Sequence, residues 1–340
     1  MSFPIVTILM CVYNGEEFLR EAIESMLMQT FSQFEFLIIN DASKDNSGKI
    51  ILSYPDPRIR VIDNEINIGL TRSLNKGIAL SKGKYIARMD ADDISLPGRL
   101  QKQVEFMEAH PEAGVVGTWI LFTDTEETFC PPADYEDVKI QLFKNNSLAH
   151  PSVMMRNDMF QKFQLSYNEK LQYAQDYELW VQCCRYFKVY NIPEVLVRYR
   201  RHSGQISSEK KILQDAAADE ARLIQLGYLK LQPDEKEKDL HLYLLNGKIT
   251  SEIKLDEVMK WTERLKAANG EVKYFQPVKF NLTINHLRKS TVNLFLNYTG
   301  YNLDTLKKYF SSRWKKYSGF HTYDISKFIF KCLVRWKPGA

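Results

Sequence analysis

The chain has 340 residues, 44% of them hydrophobic and 26% charged, with a net charge of +4. This length suits one large domain with an appendage, or two domains, and the composition excludes disordered, collagen-like and coiled-coil chains. The small total gives no argument for nucleic acid, but from His286 onward eleven Lys/Arg stand against two Asp/Glu. That stretch carries +9, so the +4 total leaves −5 for everything before it.

No apolar run reaches the roughly 18 residues of a membrane-spanning helix. The first ten residues lack a basic leader and a small-residue cleavage site, and they read as the approach to a buried strand and not as a signal peptide. The five cysteines are Cys11, Cys130, Cys183, Cys184 and Cys332, with no Cys-x-x-Cys pair. A disulfide framework and a structural zinc site are not expected, and a reducing cytoplasm is. Cys11 lies in an apolar run and is expected in the core.

In chain order, residues 5–12 form a continuous apolar run, the pattern of a strand buried on both faces. A helix is predicted over 16–29, where Phe18, Leu19, Ala22, Ile23, Met26 and Leu27 keep helical spacing. Strand 34–39, helix 45–53, strand 58–62, helix 70–81 and strand 84–89 follow, and Pro97 can open a helix running to 109. Alternating strands and helices predict an α/β fold, a mostly parallel sheet flanked by helices. Ligands of such sheets collect beyond the carboxyl ends of the strands. Asn14, Asn40-Asp41 and Asp90-Ala91-Asp92-Asp93 all fall at such ends, so they are expected to converge on one edge. After about residue 207 the pattern becomes helical (209–232, 234–246, 251–269, 301–316), and a domain boundary is placed there.

Asp90, Asp92 and Asp93 lie within four residues. Carboxylates this close repel one another unless a cation offsets them, and an oxygen donor set suits Mg²⁺ or Mn²⁺. The same cluster also suits a solvated turn that caps the next helix. Arg88 can counter its charge or lie in a salt bridge. Asp41 can accept from a base or sugar edge, while Ser43 and Asp45 are expected as helix caps. Asn67 can cap the following helix or face a ligand, and Gly69 permits close backbone approach.

The ordered set Val6-Thr7-Ile8, Tyr13-Asn14, Ile39-Asn40-Asp41-Ala42-Ser43-x-Asp45, Asn67-x-Gly69 and Ala87-Arg88-Met89-Asp90-Ala91-Asp92-Asp93 resembles family 2 glycosyltransferases over about residues 3–205. The resemblance implies a GT-A fold and a nucleotide-sugar donor, with a UDP-sugar expected. It implies that Asp41 contacts the base, flanked by the backbone of Val12 and Tyr13, that Asp90 holds the ribose or phosphate side, and that Asp92 ligates the bridging metal. Where many members carry two acidic residues, this chain has Asn40-Asp41. Ala174-Gln175-Asp176-Tyr177-Glu178-Leu179-Trp180 resembles the family's Glu-Asp-x-x-Leu-Trp motif with Gln175 in place of Glu, which implies that Asp176 is the catalytic base. A base on the sugar face opposite the leaving group is what inverting transfer needs. Asp176 taken by itself also reads as a helix N-cap. In the matching segment Arg198–Ser203, Arg200 or His202 can offset the diphosphate charge, and His202 can ligate metal. His150 shapes the acceptor pocket or packs.

Three activities compete. The first is transfer to a glycan or lipid-linked glycan in cell-surface polysaccharide synthesis. The second is transfer to polyprenyl phosphate, which needs no base, and the third is a non-catalytic sugar-nucleotide scaffold. The Asp176 motif favours the first. In the tail, Ile325, Phe328, Ile329, Cys332, Leu333 and Trp336 fall at helical spacing, flanked by Lys327, Lys331 and Arg335, with Trp314-Lys315-Lys316-Tyr317 upstream. This basic amphipathic helix suits an anionic membrane surface, or packing on the body with a solvated basic face. A sugar-nucleotide site gives nucleic acid no purpose.

Overall fold

A computed structural model describes residues 4–171, 173–202, 211–247, 254–311 and 320–336, and the structural statements below concern these. The chain divides into two compact units, residues 1–221 and 222–340. The boundary expected near residue 207 falls among residues that are not described.

The first unit opens with β1 (Val6–Val12), α1 (Leu19–Leu27), β2 (Phe34–Asn40), α2 (Ser47–Leu52), β3 (Ile59–Asp63), α3 (Leu70–Leu80) and β4 (Tyr85–Met89). The two-sided burial of β1 has a direct cause. Val6, Ile8, Met10 and Val12 join Ala22, Ile23 and Met26 of α1 in the main apolar cluster. Leu9 meets α3 at Gly77, where an added Cβ would stand 2.2 Å from Leu9 Cδ1. The helix therefore lies against the strand at a separation that glycine permits. Parallel pairing aligns Val12 with Asn40, and Met10 with Met89, so the ends of β1, β2 and β4 come out on one edge.

Beyond these come β5 (Ile94–Ser95), α4 (Arg99–Ala109), β6 (Ala113–Phe122), β7 (Thr128–Phe129), α5 (Tyr135–Leu142), a short turn of 3-10 helix over His150–Ser152, β8 (Met154–Arg156), α6 (Asn157–Lys162), α7 (Gln175–Cys183) and β9 (Lys188–Tyr199). The sheet runs β3-β2-β1-β4-β8-β6-β9-β5, with β7 on β6. It is parallel from β3 to β4. It then turns mixed, because β8 pairs antiparallel with both β4 and β6, while β6 and β9 are parallel.

Helix α8 (Lys211–Tyr228) leads into α9 (Glu235–Asn246), α10 (Leu255–Val272), α11 (Pro277–Thr299), α12 (Leu303–Ser311) and α13 (Thr322–Leu333). A capping box between Asp234 and Glu237 starts α9, and Gly247 ends it with φ 66°. The predicted helix 301–316 is described as far as Ser311, and Trp314–Tyr317 lies outside the described residues. The apolar side of α13 predicted from spacing is turned inward at Phe328 and Cys332, which are buried. Leu333 and Trp336 of the same predicted side are exposed. Among the described residues no helix is long and apolar enough to cross a membrane.

Candidate active site

A cleft of about 1180 Å³ opens at the edge where β1, β2 and β4 end. Val12, Tyr13, Asn14, Asp41, Asn67, Arg88, Asp90, Ala91, Asp92, Asp176 and His202 all line it. Of the residues expected at the site, Arg200 does not. Its backbone NH donates to Asp93 (2.8 Å), its Nε to the Asp92 carbonyl (3.0 Å) and its Nη2 to Glu21 (2.6 Å), with the guanidinium 4.3 Å from the Phe18 ring. It clamps the acidic loop from behind, and its neighbour Arg201 lines the cleft instead. Cys11, expected in the core, is half-buried and lines the cleft as well.

The loops after β1 and β2 are laced together. Asn14, with φ 51°, donates its backbone NH to Ser43 Oγ, and its side-chain oxygen accepts from Lys44 NH. Asp45 accepts from Ser47 NH at the start of α2 and from Glu16 NH across the gap. Ser43 and Asp45 are thus ties between loops and not the helix caps expected of them, since the N-cap position of α2 is Asn46, with no side-chain cap. Asp41 is buried. Its carboxylate accepts from Asn64 Nδ2 (2.7 Å), Ile68 NH (3.0 Å) and Gly69 NH (2.9 Å), which fixes the turn into α3. Asn67 Oδ1 also accepts from Gly69 NH (3.1 Å). Gly69, at φ 88°, begins the helix with no side-chain cap.

After β4 the charges are packed densely. Arg88 is buried and paired with Asp90. Burial opposes its charge, but the Asp90 carboxylate prevails and raises its pKa. Burial raises the pKa of Asp90 despite Arg88, and Asp92 adds repulsion. Asp93 is fully buried and pushed well above the carboxylate range by desolvation, then by Asp90 and Asp92. Its Oδ2 has no hydrogen-bond donor. Arg99 lies beneath, donating Nη2 to the Arg88 carbonyl (2.7 Å), its pKa lowered to about 9 by burial and by Arg88.

The ligand oxygens of Asp90, Asp92 and Asp93 lie within 4.8 Å of one another, and His202 Nε2 stands 3.0 Å from Asp92 Oδ2. An oxygen-rich set with one imidazole, mutual repulsion and an orphaned carboxylate oxygen fits a hard divalent cation such as Mn²⁺ or Mg²⁺.

Asp176 sits in the first turn of α7. That helix is capped by no side chain, so the N-cap reading of Asp176 does not hold. Asn146 Nδ2 donates to Asp176 Oδ2 (2.8 Å). Burial raises the Asp176 pKa, against the hydrogen bonds from Tyr177 NH and Asn146 and the charge of Arg88. His150 lines the cleft and also packs. Its Nε2 meets Tyr167 OH (2.8 Å), its ring lies edge-on to Trp180, and burial followed by Arg88 holds it well below its ordinary pKa. Sequence reasoning missed Asn146 and an aromatic wall of Phe122, Phe129 and Tyr199. The wall is carried by strands that spacing did not assign, and a single Asn in a polar loop gives no signal of its own.

Residues 7–181, just over half of the chain, match the family model "Glycosyl transferase family 2". The chain belongs to that family. An uncharacterized glycosyltransferase of Methanocaldococcus jannaschii is 38% identical over 210 residues, 59% of this chain and 72% of the relative. Residues 1–349 of S. aureus TarS, in complex with UDP-GlcNAc, are similar in structure with a TM-score of 0.57 at 16% identity, covering 86% of this chain and 89% of that one. The mannosyltransferase PcManGT from Pyrobaculum calidifontis, in complex with GDP-Man and Mn²⁺, gives 0.52 at 13% identity, covering 86% and 88%. At such identities the likeness shows the fold, the GT-A α/β arrangement with C-terminal helices. Membership of this family makes the chain a glycosyltransferase.

Proposed function

We propose that the protein is an inverting, metal-dependent glycosyltransferase that moves a sugar from a UDP-sugar to a hydroxyl of a glycan or lipid-linked glycan in cell-surface polysaccharide synthesis, at the cytoplasmic face of a membrane. The observation that carries this is the meeting of Asp41, Asp92 and Asp176, from three separate elements, on one cleft. The base sits between Val12–Tyr13 and the Asp41 turn, and the ribose and phosphates run past Asp90 and Ala91. Asp92 and His202 would hold a divalent cation, which when bound neutralises the departing diphosphate. Asp176, its pKa raised by burial, is a stronger proton acceptor than an ordinary aspartate. It takes the acceptor hydroxyl proton as that oxygen attacks the anomeric carbon. The bond to the diphosphate oxygen breaks on the opposite side, and the configuration inverts. No enzyme carboxylate attacks the sugar, in contrast to retaining hydrolases.

UDP-sugars are favoured because TarS of the same fold is in complex with UDP-GlcNAc. PcManGT is in complex with GDP-Man, so guanosine donors belong in the test. The experiment is a nucleotide-sugar panel with glycan acceptors, read by UDP or GDP release with Mn²⁺ and with chelator. Release from one UDP-sugar that stops on chelation is expected. Release that continues unchanged in chelator removes the metal, and release from none of the donors removes the reading.

A further inference from the structure

The buried side of α13 leaves the opposite side of that helix to be explained. Phe328 and Cys332 are 3% and 0% exposed, whereas Tyr323, Phe330, Leu333 and Val334 are 73%, 64%, 63% and 51% exposed. At 3.6 residues per turn Tyr323, Phe330 and Val334 fall within about 40° of one another, with Leu333 beside them. They form one outward apolar stripe, which shares only Leu333 with the side that the sequence pattern pointed to. Lys327 and Lys331 stand one turn apart on one flank of the helix, and Arg335 follows just beyond its end at φ 50°. Lys331 Nζ lies 3.8 Å from the Trp336 ring and 4.8 Å from that of Tyr301, so the flank mixes cations with aromatic rings. A recess of about 240 Å³ lies along the lysine flank, lined by Asn293, Tyr301, Lys327 and Lys331 among others. Asp324 also lines it, tied to Lys289 at 2.8 Å.

We propose that the outer stripe of α13 docks the protein on an anionic lipid bilayer. The stripe enters the headgroup boundary, and Lys327, Lys331 and Arg335 meet lipid phosphates. Three arguments select this occupant. A helix lying in the interface needs an apolar stripe beside a basic flank, and stable anchoring needs both signals. The +9 balance from His286 onward complements a negative surface and adds long-range attraction. A second copy of the chain fits poorly, because a two-fold contact sets the same patch against itself and brings the lysines face to face. A polyhydroxyl glycan fits poorly too, since Leu333 and Val334 offer it no hydrogen bond.

The proposal rests on the lipid-linked acceptor reading for its purpose only. Vesicle binding is measured without sugar transfer, so the two can fail separately. The full chain is sedimented with phosphatidylglycerol–phosphatidylcholine vesicles and with pure phosphatidylcholine vesicles, at low and raised salt. It should pellet with the anionic vesicles at low salt and be released by salt. Replacing Phe330, Leu333 and Val334 together by Ser should lower the partition by about tenfold or more. Lys327→Gln with Arg335→Gln should lower it by roughly fivefold per charge. The replaced side chains are exposed, so thermal melts should not move. If the triple variant nevertheless misfolds, the charge variant decides. Equal pelleting of wild type and charge variant overturns the proposal. Equal pelleting with pure phosphatidylcholine overturns it as well, and so does a wild-type dimer that the triple variant dissolves.

Discussion

Asp41 and Asp176 line the same cleft, yet the chain surrounds the two carboxylates differently. Asp41 accepts two backbone NH groups and the Asn64 amide, all from the turn that leads into α3. It shapes the wall on which a base would rest. Asp176 is held by Asn146 and by the backbone of its own helix turn, in surroundings whose burial raises its pKa. The contrast teaches how one motif residue differs from another. A carboxylate engaged by several of the chain's own donors orients the site, and one with its proton affinity raised by burial is suited to moving a proton.

The largest expected effect tests the second half of that contrast. Asp176→Asn should lower kcat by about 10²–10⁴-fold while calorimetry shows UDP affinity retained. Turnover close to wild type would remove Asp176 as base. The pH dependence follows from the sign of the shift. The base works unprotonated and burial raises its pKa from the ordinary aspartate value, so kcat should fall on acidification at a pH above that of an ordinary aspartate.

Next in size is Asp92→Ala. It removes an expected ligand, so metal-dependent UDP affinity should drop by at least the roughly 10–100-fold that losing an outer partner of a metal ligand brings. Binding in chelator should stay as it was. Equal calorimetric isotherms for variant and wild type in Mn²⁺ would take Asp92 out of the metal site.

Asn146→Ala is smaller and more diagnostic. Its amide favours the charged form of Asp176, so the acid limb of the kcat profile should move to higher pH. On that acid limb the loss of one hydrogen bond to a charged group should lower kcat by about tenfold at a given pH. A drop in kcat with an unmoved limb would mean that Asn146 only packs.

The sequence carried one side of this site far better than the other. The runs that became β1, β2 and β4 are continuous and apolar because helices cover both faces, and the carboxylates follow them directly. Strand β6 was not assigned, and its glycines are part of the reason. A Cβ at Gly114 would stand 2.1 Å from the Phe187 ring, and one at Gly117 2.3 Å from Asn191 Oδ1. The close fit demands residues that weaken a local strand signal. Strand β9 contains Pro193, which argues against a central strand, yet the register of β6 and β9 shifts between Ile192 and Val195 and accommodates it. Helix α11 escaped because it buries Arg288 against Thr262 and Glu263, which blurs the apolar period. Asn146 is legible only once α7 is in place.

The smallest expected effect tests the first half of the contrast. In Asp41→Asn the new amide oxygen can still accept from Asn64 and Ile68, which leaves the amide NH₂ facing Gly69 NH. That NH keeps a second acceptor in Asn67 Oδ1 at 3.1 Å, so the damage is partial. One impaired buried contact costs about 1–3 kcal/mol, a fall in Tm of several degrees for a unit of this size at about 2–4 °C per kcal/mol. With donor saturating, kcat should hold near wild type while KM for the donor rises, because the turn at Ile68 and Gly69 loosens far from the reacting bond. A thermal melt and a donor titration separate the outcomes. An unmoved Tm with a raised KM would mean that Asp41 serves the base and not the turn. A fall in kcat as deep as that of Asp176→Asn would mean that the two carboxylates do not divide the work between orienting the donor and moving the proton.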